Sequence, residues 1–103
     1  IFRELCRHTA VACANDYIAE TIVRALRGKG IRVPEDVSVT GYDNSHNDFV
    51  QNELTTAVVP EEKIVSSFLN LAQTRLAGDA GIGETTLMLV RPIIIPRSSW
   101  RSV

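Results

Sequence analysis

The fold of this chain is decided by residues 10–44, AVACANDYIAETIVRALRGKGIRVPEDVSVTGYDN. The first apolar run, Thr9 to Ala14, consists of small and β-branched residues without polar alternation, which indicates a strand covered on both faces. Tyr17 to Arg27 has the spacing of an amphipathic helix, and Val37 to Gly41 is a second strand-like run. A strand, a helix and a strand within about 30 residues form one βαβ unit, which predicts a parallel sheet with a right-handed crossover.

The predicted helix has recognisable start and stop signals. Asn15 and Asp16 precede it, and either side chain could cap its first turn. Gly28 and Gly30 supply a stop at its carboxyl end. The apolar positions expected to face the sheet are Ile18, Ile22, Ala25 and Leu26.

Outside this unit the pattern predicts further elements of an α/β fold. A helix end is expected at Ile1 to Arg7, a polar loop at Tyr42 to Asn52, a third extended run at Leu54 to Val59, a helix from Pro60 to about Ala77, a glycine-containing loop at Asp79 to Glu84, and β-rich segments at Thr85 to Val90 and Pro92 to Ile95. The fold class expected is α/β, with a parallel sheet flanked by helices.

Composition narrows the classes of function. With 103 residues the chain allows one domain, and an apolar content of 45% excludes intrinsic disorder. A net charge of −1 gives no electrostatic reason to expect contact with nucleic acid. No apolar run is long enough for a membrane span. Two cysteines without metal-ligand spacing are typical of reduced thiols in a cytoplasmic protein, and neither a metal nor another cofactor is expected.

Two stretches resemble a phosphate-binding loop and a catalytic pair, but each lacks a feature that the corresponding chemistry requires. Gly78 to Thr85 reads GDAGIGET and resembles a phosphate loop, but Glu84 stands where such a loop needs lysine, and the segment follows a helix instead of a strand. Ser45-His46 pairs a nucleophile with a base, but adjacent residues rarely point at each other. We therefore expect the protein not to be an enzyme.

Polar residues stand at the predicted carboxyl ends of both strands of the βαβ unit. Asn15-Asp16 follows the first strand and Tyr42-Asp43-Asn44 follows the second. Ligands of open α/β sheets bind beyond these ends, and carboxylate and amide groups suit the hydroxyls of a sugar or the edge of a base. Position alone also allows Asp16 and Asp43 to be only helix and loop caps, the cap being favoured for Asp16 and the ligand contact for Asp43.

The residues also carry a family resemblance. Asn15-Asp16 followed by Ala19, then VPEDVSV at residues 33–39 and GYDN at residues 41–44, resembles the effector-binding domain of LacI/GalR-type transcriptional regulators. Leu54-Thr55-Thr56 and the closing Arg97-Ser98-Ser99 follow in the order that this family shows. The resemblance covers essentially the whole chain.

The resemblance implies a periplasmic-binding-protein-like fold, with two α/β lobes around a sugar or nucleobase. It implies that residues 1–103 are the carboxyl-terminal portion of the effector-binding domain, with the helix at about 60–77 belonging to the first lobe. Asn15 and Asp43 are implied as effector contacts, and Asp16 is carried over as a third contact that could instead hold the turn. Operator DNA would be bound only through an amino-terminal domain that this chain does not contain.

Tyr42 to His46, with Glu53 to Thr56, is similar to arabinose repressors, which suggests a pentose such as arabinose as effector. The alternative within the same fold is a periplasmic-type sugar-binding protein of a transport system. The apolar residues of the helix from Pro60 need cover, so we expect a homodimer or a higher oligomer.

Overall fold

The computed structural model describes residues 4, 7–78, 85 and 87–102 of the chain. It forms two compact units, the first made of Ile1–Val58 with Ile94–Val103 and the second of Val59–Ile93. None of the described helices is long and apolar enough to cross a lipid bilayer.

The first unit contains the predicted βαβ arrangement. Strand β1 (Ala10–Ala12) is followed by helix α1 (Asp16–Gly28) and strand β2 (Ser38–Tyr42). The two strands pair in parallel, with Ala12 opposite Thr40. The α/β class and the parallel sheet predicted from the sequence are therefore confirmed.

Helix α1 begins at a side-chain cap and buries one stripe. Asn15 is the cap residue, and its side-chain oxygen accepts a hydrogen bond from the amide of Ile18. The buried residues of the helix are Asp16, Ala19, Val23 and Leu26. The predicted apolar face is confirmed in part: Leu26 is buried and Ile22 packs against the core, whereas Ile18 is 42% exposed. Ala19 and Val23, which the prediction did not include, are fully buried.

A short helix lies where the sequence predicts only a loop. Helix α2 (Asp48–Asn52) begins at Asn47, whose side chain accepts a hydrogen bond from the amide of Val50. Val50 is fully buried, which ties this helix to the core. Strand β3 (Thr55–Val58) then pairs in parallel with β2, and strand β4 (Ile93–Ile95) follows it in the sheet.

The core of the first unit lies between α1 and the sheet. Its largest buried apolar side chains are Val23, Leu26, Val37, Val39, Val50 and Leu54. Burying an apolar side chain of this size contributes about 1.5–3 kcal/mol, so this cluster is the main source of stability of the unit.

Ser99 joins the amino-terminal parts of β2 and β3. The amide of Val39 donates to the Ser99 carbonyl, and the amide of Ser99 donates to the Glu53 carbonyl, both at 2.9 Å. The Ser99 hydroxyl donates to the Val39 carbonyl at 2.6 Å and accepts from the Thr55 amide at 2.8 Å. Backbone groups that would lack a ladder partner are satisfied by this one residue.

The second unit contains helix α3 (Glu61–Leu76), close to the predicted bounds. Glu61 and Glu62 occupy its first turn and Arg75 its last, which complements the helix dipole. The helix has no buried residue, and Phe68 is 68% exposed.

The predictions for the remaining segments have other outcomes. The residues of Thr85–Val90 that the structure describes form no strand, and Leu87 and Leu89 among them are exposed. Most of the helix end predicted at Ile1 to Arg7 and the whole loop predicted at Asp79 to Glu84 lie outside the described residues.

Candidate ligand site at the carboxyl ends of the strands

The polar residues predicted as ligand contacts do follow paired parallel strands. Asn15 comes after β1, and Asp43 comes directly after β2. Because neighbouring strands lie about 4.8 Å apart, the carboxyl ends of β1, β2 and β3 form one edge. The contacts described next connect all three of them.

Asp43 is exposed and has a strained backbone. Its φ is 106°, and that of Asn44 is 54°, so two successive non-glycine residues lie at positive φ. Positive φ is uncommon for residues with a Cβ, although Asp and Asn adopt it more readily than most, and such conformations are concentrated at functional sites. Within the part of the chain that the structure describes, the Asp43 carboxylate accepts no hydrogen bond, so it is available to a ligand.

Three successive backbone N–H groups hold this turn, which we call the Asp43 loop (residues 43–45). The amide of Asp43 donates to the carbonyl of Ala57 at 2.8 Å. The amide of Asn44 donates to the Thr56 hydroxyl at 3.4 Å, and that of Ser45 donates to Asp16 Oδ2 at 2.7 Å. The Asp43 loop is therefore attached to both β3 and the start of α1.

Asp16 is fully buried, and both of its carboxylate oxygens are used inside the protein. Oδ2 accepts from the Ser45 amide, and Oδ1 accepts from the Thr56 hydroxyl at 2.6 Å. Bonds to a charged acceptor are among the strongest in proteins, and they compensate the cost of burying the charge. This geometry gives Asp16 the role of holding the turn. The sequence favoured Asp16 as the cap of helix α1, but Asn15 forms that cap instead.

Asn15 is half-buried, and its amide group is fixed on one side only. The oxygen accepts from the Ile18 amide at 2.9 Å, which assigns the oxygen and nitrogen of the side chain. Among the described residues, the side-chain nitrogen donates to no acceptor. Asn15 can thus offer two N–H donors at the edge where Asp43 offers carboxylate oxygens, a combination that suits neighbouring hydroxyls of a sugar.

Other chemistry has little support at this edge. In the described part of the chain, no three His, Cys, Asp or Glu side chains gather in a way that could hold a metal ion. Burial raises the pKa of the Cys13 thiol, which makes it a poor nucleophile at neutral pH. Cys6 lies outside the described residues.

Sequence reasoning missed three residues of the site. Thr56, Gly41 and Arg97 belong to the stretches that carry the family resemblance, but the sequence alone predicts no role in the site for any of them. The signal for Gly41 was its place immediately before the Tyr42-Asp43-Asn44 segment. Here a side chain on Gly41 would overlap Asp16 Oδ1, so only glycine admits the buried carboxylate.

Comparison with known proteins identifies the fold family. Residues 2–100 match the model of the periplasmic binding protein-like domain. The chain belongs to this family. The predicted resemblance to LacI/GalR-type effector-binding domains is also confirmed by relatives and solved structures. The arabinose-repressor subgroup stays a prediction.

Among curated relatives, the HTH-type transcriptional repressor PurR of Haemophilus influenzae (strain ATCC 51907 / DSM 11121 / KW20 / Rd) is 34% identical over 97 residues. The match covers 92% of this chain but only 29% of the repressor.

Two solved structures show the same fold with sugars bound. A LacI family transcriptional regulator from Arthrobacter sp. FB24, in complex with lactose, superposes with a TM-score of 0.74 at 26% identity, covering 95% of this chain and 37% of that one. A periplasmic binding protein/LacI transcriptional regulator from Alkaliphilus metalliredigens QYMF, complexed with D-xylulofuranose, gives 0.68 at 27% identity, covering 97% and 37%.

Proposed function

We propose that this chain is the effector-sensing part of a LacI/GalR-type DNA-binding transcriptional regulator that binds a small sugar-like ligand and thereby modulates operator binding. The observation that carries the proposal is the Asp43 loop, an exposed carboxylate on a strained turn held by three successive backbone hydrogen bonds at the carboxyl edge of a parallel sheet. Residues held in sparsely populated backbone conformations are concentrated at ligand-binding and active sites, which supports the proposal.

Asn15 and Asp43 are the proposed effector contacts, with complementary donors and acceptors. Asp16, which the resemblance also implied, is proposed to contribute by holding the Asp43 loop through Ser45 and Thr56. The sugars named with the Arthrobacter and Alkaliphilus regulators support a carbohydrate as the ligand class.

The domain assignment is part of the same proposal. The separation of Val59–Ile93 from the rest of the chain supports the view that α3 belongs to the other lobe of a two-lobed domain. Operator contact would then depend on another part of a longer protein, because this chain has a net charge of −1.

A sugar-binding protein of a transport system is the second candidate, favoured by the family description and by the first half of the Alkaliphilus protein's name. The two candidates differ in what the rest of the gene encodes. A helix-turn-helix or winged helix upstream of this chain supports the regulator, whereas an export signal there would support the transporter.

The binding test compares two acidic residues in the whole protein that contains this chain. Asp43→Ala removes a charge-assisted hydrogen bond to the ligand, costing about 1.5–3 kcal/mol. Titration calorimetry with lactose, D-xylulose and L-arabinose should show at least a tenfold loss of affinity for whichever sugar binds the wild type.

Glu35→Ala, which removes the same charge from an exposed turn, is the matched control and should leave affinity unchanged. Equal affinities for wild type and the Asp43 variant would remove the assignment of this site.

A further inference from the structure

Arg97 reaches the Asp43 loop from the last segment of the chain. One guanidinium nitrogen, Nη2, donates to Asn44 Oδ1 at 2.9 Å, and the other, Nη1, donates to the Leu54 carbonyl at 2.9 Å. Asn44 is the second residue of the loop at positive φ. The planar fork of arginine thus joins a loop residue at positive φ to the residue that precedes β3.

The Arg97 backbone is fixed as firmly as its side chain. Its amide donates to the Thr55 hydroxyl at 2.8 Å, and that hydroxyl donates to the Arg97 carbonyl at 3.0 Å. Thr55 is buried, so this anchor does not exchange freely with water. The guanidinium therefore extends from a fixed point in the first unit.

Helix α2 braces the same loop from a third direction. Gln51 Nε2 donates to the Ser45 carbonyl at 2.8 Å, and Gln51 Oε1 accepts from Arg97 Nη2 at 3.4 Å. Asn44 Oδ1 is in this way held against both Arg97 and Gln51.

We propose that Arg97 is a positioning residue for effector binding, one that acts through Asn44 to impose the positive-φ backbone presenting the Asp43 carboxylate. The inference rests on the proposed function, since it assigns a second layer to the same site. In this role Arg97 acts through the loop and not through a contact with the ligand. Without it, the Asp43 loop would relax toward commoner backbone angles and the carboxylate would lose its fixed position.

The first test measures the loop without any ligand. In amide hydrogen exchange of the whole protein, Arg97→Met should speed exchange of the Asp43 and Ser45 amides at least tenfold, while the Val23 amide in α1 keeps its rate. Arg97→Lys, which can reach one of the two acceptors but not both, should give an intermediate rate. Arg101→Met removes an exposed arginine of the same terminal segment, whose backbone bonds Ser38 at the start of β2, and should leave these exchange rates unchanged.

Unchanged exchange at Asp43 and Ser45 would overturn the proposal. Equal acceleration of all amides, Val23 included, would also overturn it, because Arg97 would then stabilise only the unit as a whole.

The second test measures binding of the sugar among lactose, D-xylulose and L-arabinose that the wild type binds. Arg97→Met should weaken it about tenfold, and in an Asn44→Ala background the same substitution should have little further effect, since the two residues act as one unit. Faster amide exchange in the Asp43 loop together with unchanged sugar affinity would contradict the positioning role. If the wild type binds none of the three sugars, the proposed sugar-binding function fails, while the exchange experiment still decides whether Arg97 sets the loop.

Discussion

At the scale of single residues, the site depends on the absence of a side chain at Gly41. Asp16 Oδ1 and Cα and a methyl group of Leu54 occupy the space where a Cβ would lie. Close approach of this kind lets a carboxylate from the start of α1 pack directly on β2 and reach Thr56 on the next strand. The residue that permits the buried charge is therefore not one of its hydrogen-bond partners.

Gly41→Ala should destabilise the protein by about 1–3 kcal/mol, the usual cost of overpacking a core, because Asp16 must move from its two partners. Urea unfolding followed by circular dichroism measures the change. Gly28→Ala is the control: a Cβ there meets nothing within 4 Å, and helix propensity makes alanine more favourable by about 0.5–1 kcal/mol. A Gly41 variant as stable as wild type would show that the Asp16 contacts are dispensable.

Asp16 and Asp43 show how much of the site can be predicted from the sequence at the scale of single residues. Their position at the sheet edge followed from the apolar runs alone, and Asp43 is exposed as a ligand contact must be. Burial of Asp16 could not be read, because it depends on Gly41 and Thr56, which are distant in sequence. The positive φ of Asp43 could not be predicted either, because residue type alone does not fix it, and the Asp43 amide is held by the carbonyl of Ala57 on another strand.

At the scale of elements, the turn between α1 and β2 is fixed by an ion pair. Asp36 Oδ2 accepts from both the backbone amide and Nε of Arg32, and Oδ1 accepts from Nη2 at 2.7 Å. The hydrogen bonds from Arg32 lower the pKa of Asp36 from 3.8 to about 2. Both side chains are solvent-accessible, so salt screens the pair.

A lowered pKa in the folded state means that Asp36 stabilises the turn above its unfolded pKa. That contribution should fall progressively as the pH drops from about 4 toward 2. Urea unfolding at several pH values should therefore show the stability difference between wild type and Asp36→Asn shrinking below pH 4, with most of it lost as the pH approaches 2.

A gap between wild type and Asp36→Asn that stays constant with pH would contradict the assignment.

The helices and strands differed in how accurately they could be predicted from the sequence. Helix α1 and strands β2 and β3 were predicted to within one or two residues because their apolar runs are long enough to set a period. Helix α2 was missed because it is shorter than two turns, and its one clue is the Asn47-Asp48 cap. The buried face of α1 was predicted only in part: Leu26 lies in the core as expected, but the stripe also includes Ala19 and Val23 and leaves Ile18 exposed.

At the scale of the whole molecule, helix α3 exposes apolar side chains that nothing in the described part of the chain buries. No residue of α3 is buried, and its exposed apolar side chains are Ile64, Val65, Phe68, Leu69 and Leu76. Exposed apolar surface of this extent on one helix is characteristic of an interface. The resemblance places a lobe there, and in a solution of this chain alone a second copy is the available partner.

We therefore expect this chain to form a dimer or a higher oligomer. Sedimentation equilibrium at micromolar concentration should give a mass above that of one chain, and Phe68→Asp should shift the population to monomer by placing a charge in the apolar contact.

Asn70→Asp introduces the same charge at an exposed polar position of α3 and serves as the control. A monomeric wild type at all concentrations would exclude assembly through this helix.

Ser99, which joins β2 to β3, also bears on how the protein is made. The residues that it connects, Val39, Glu53 and Thr55, are synthesised before the second unit, and Ser99 is added only after that unit has been synthesised. At roughly 5–20 residues per second, that delay lasts a few seconds. During this time the backbone groups that Ser99 satisfies have no partner in Ser99, and unpaired strand groups are templates for aggregation. Translation speed through the second unit therefore sets how long the first waits to close.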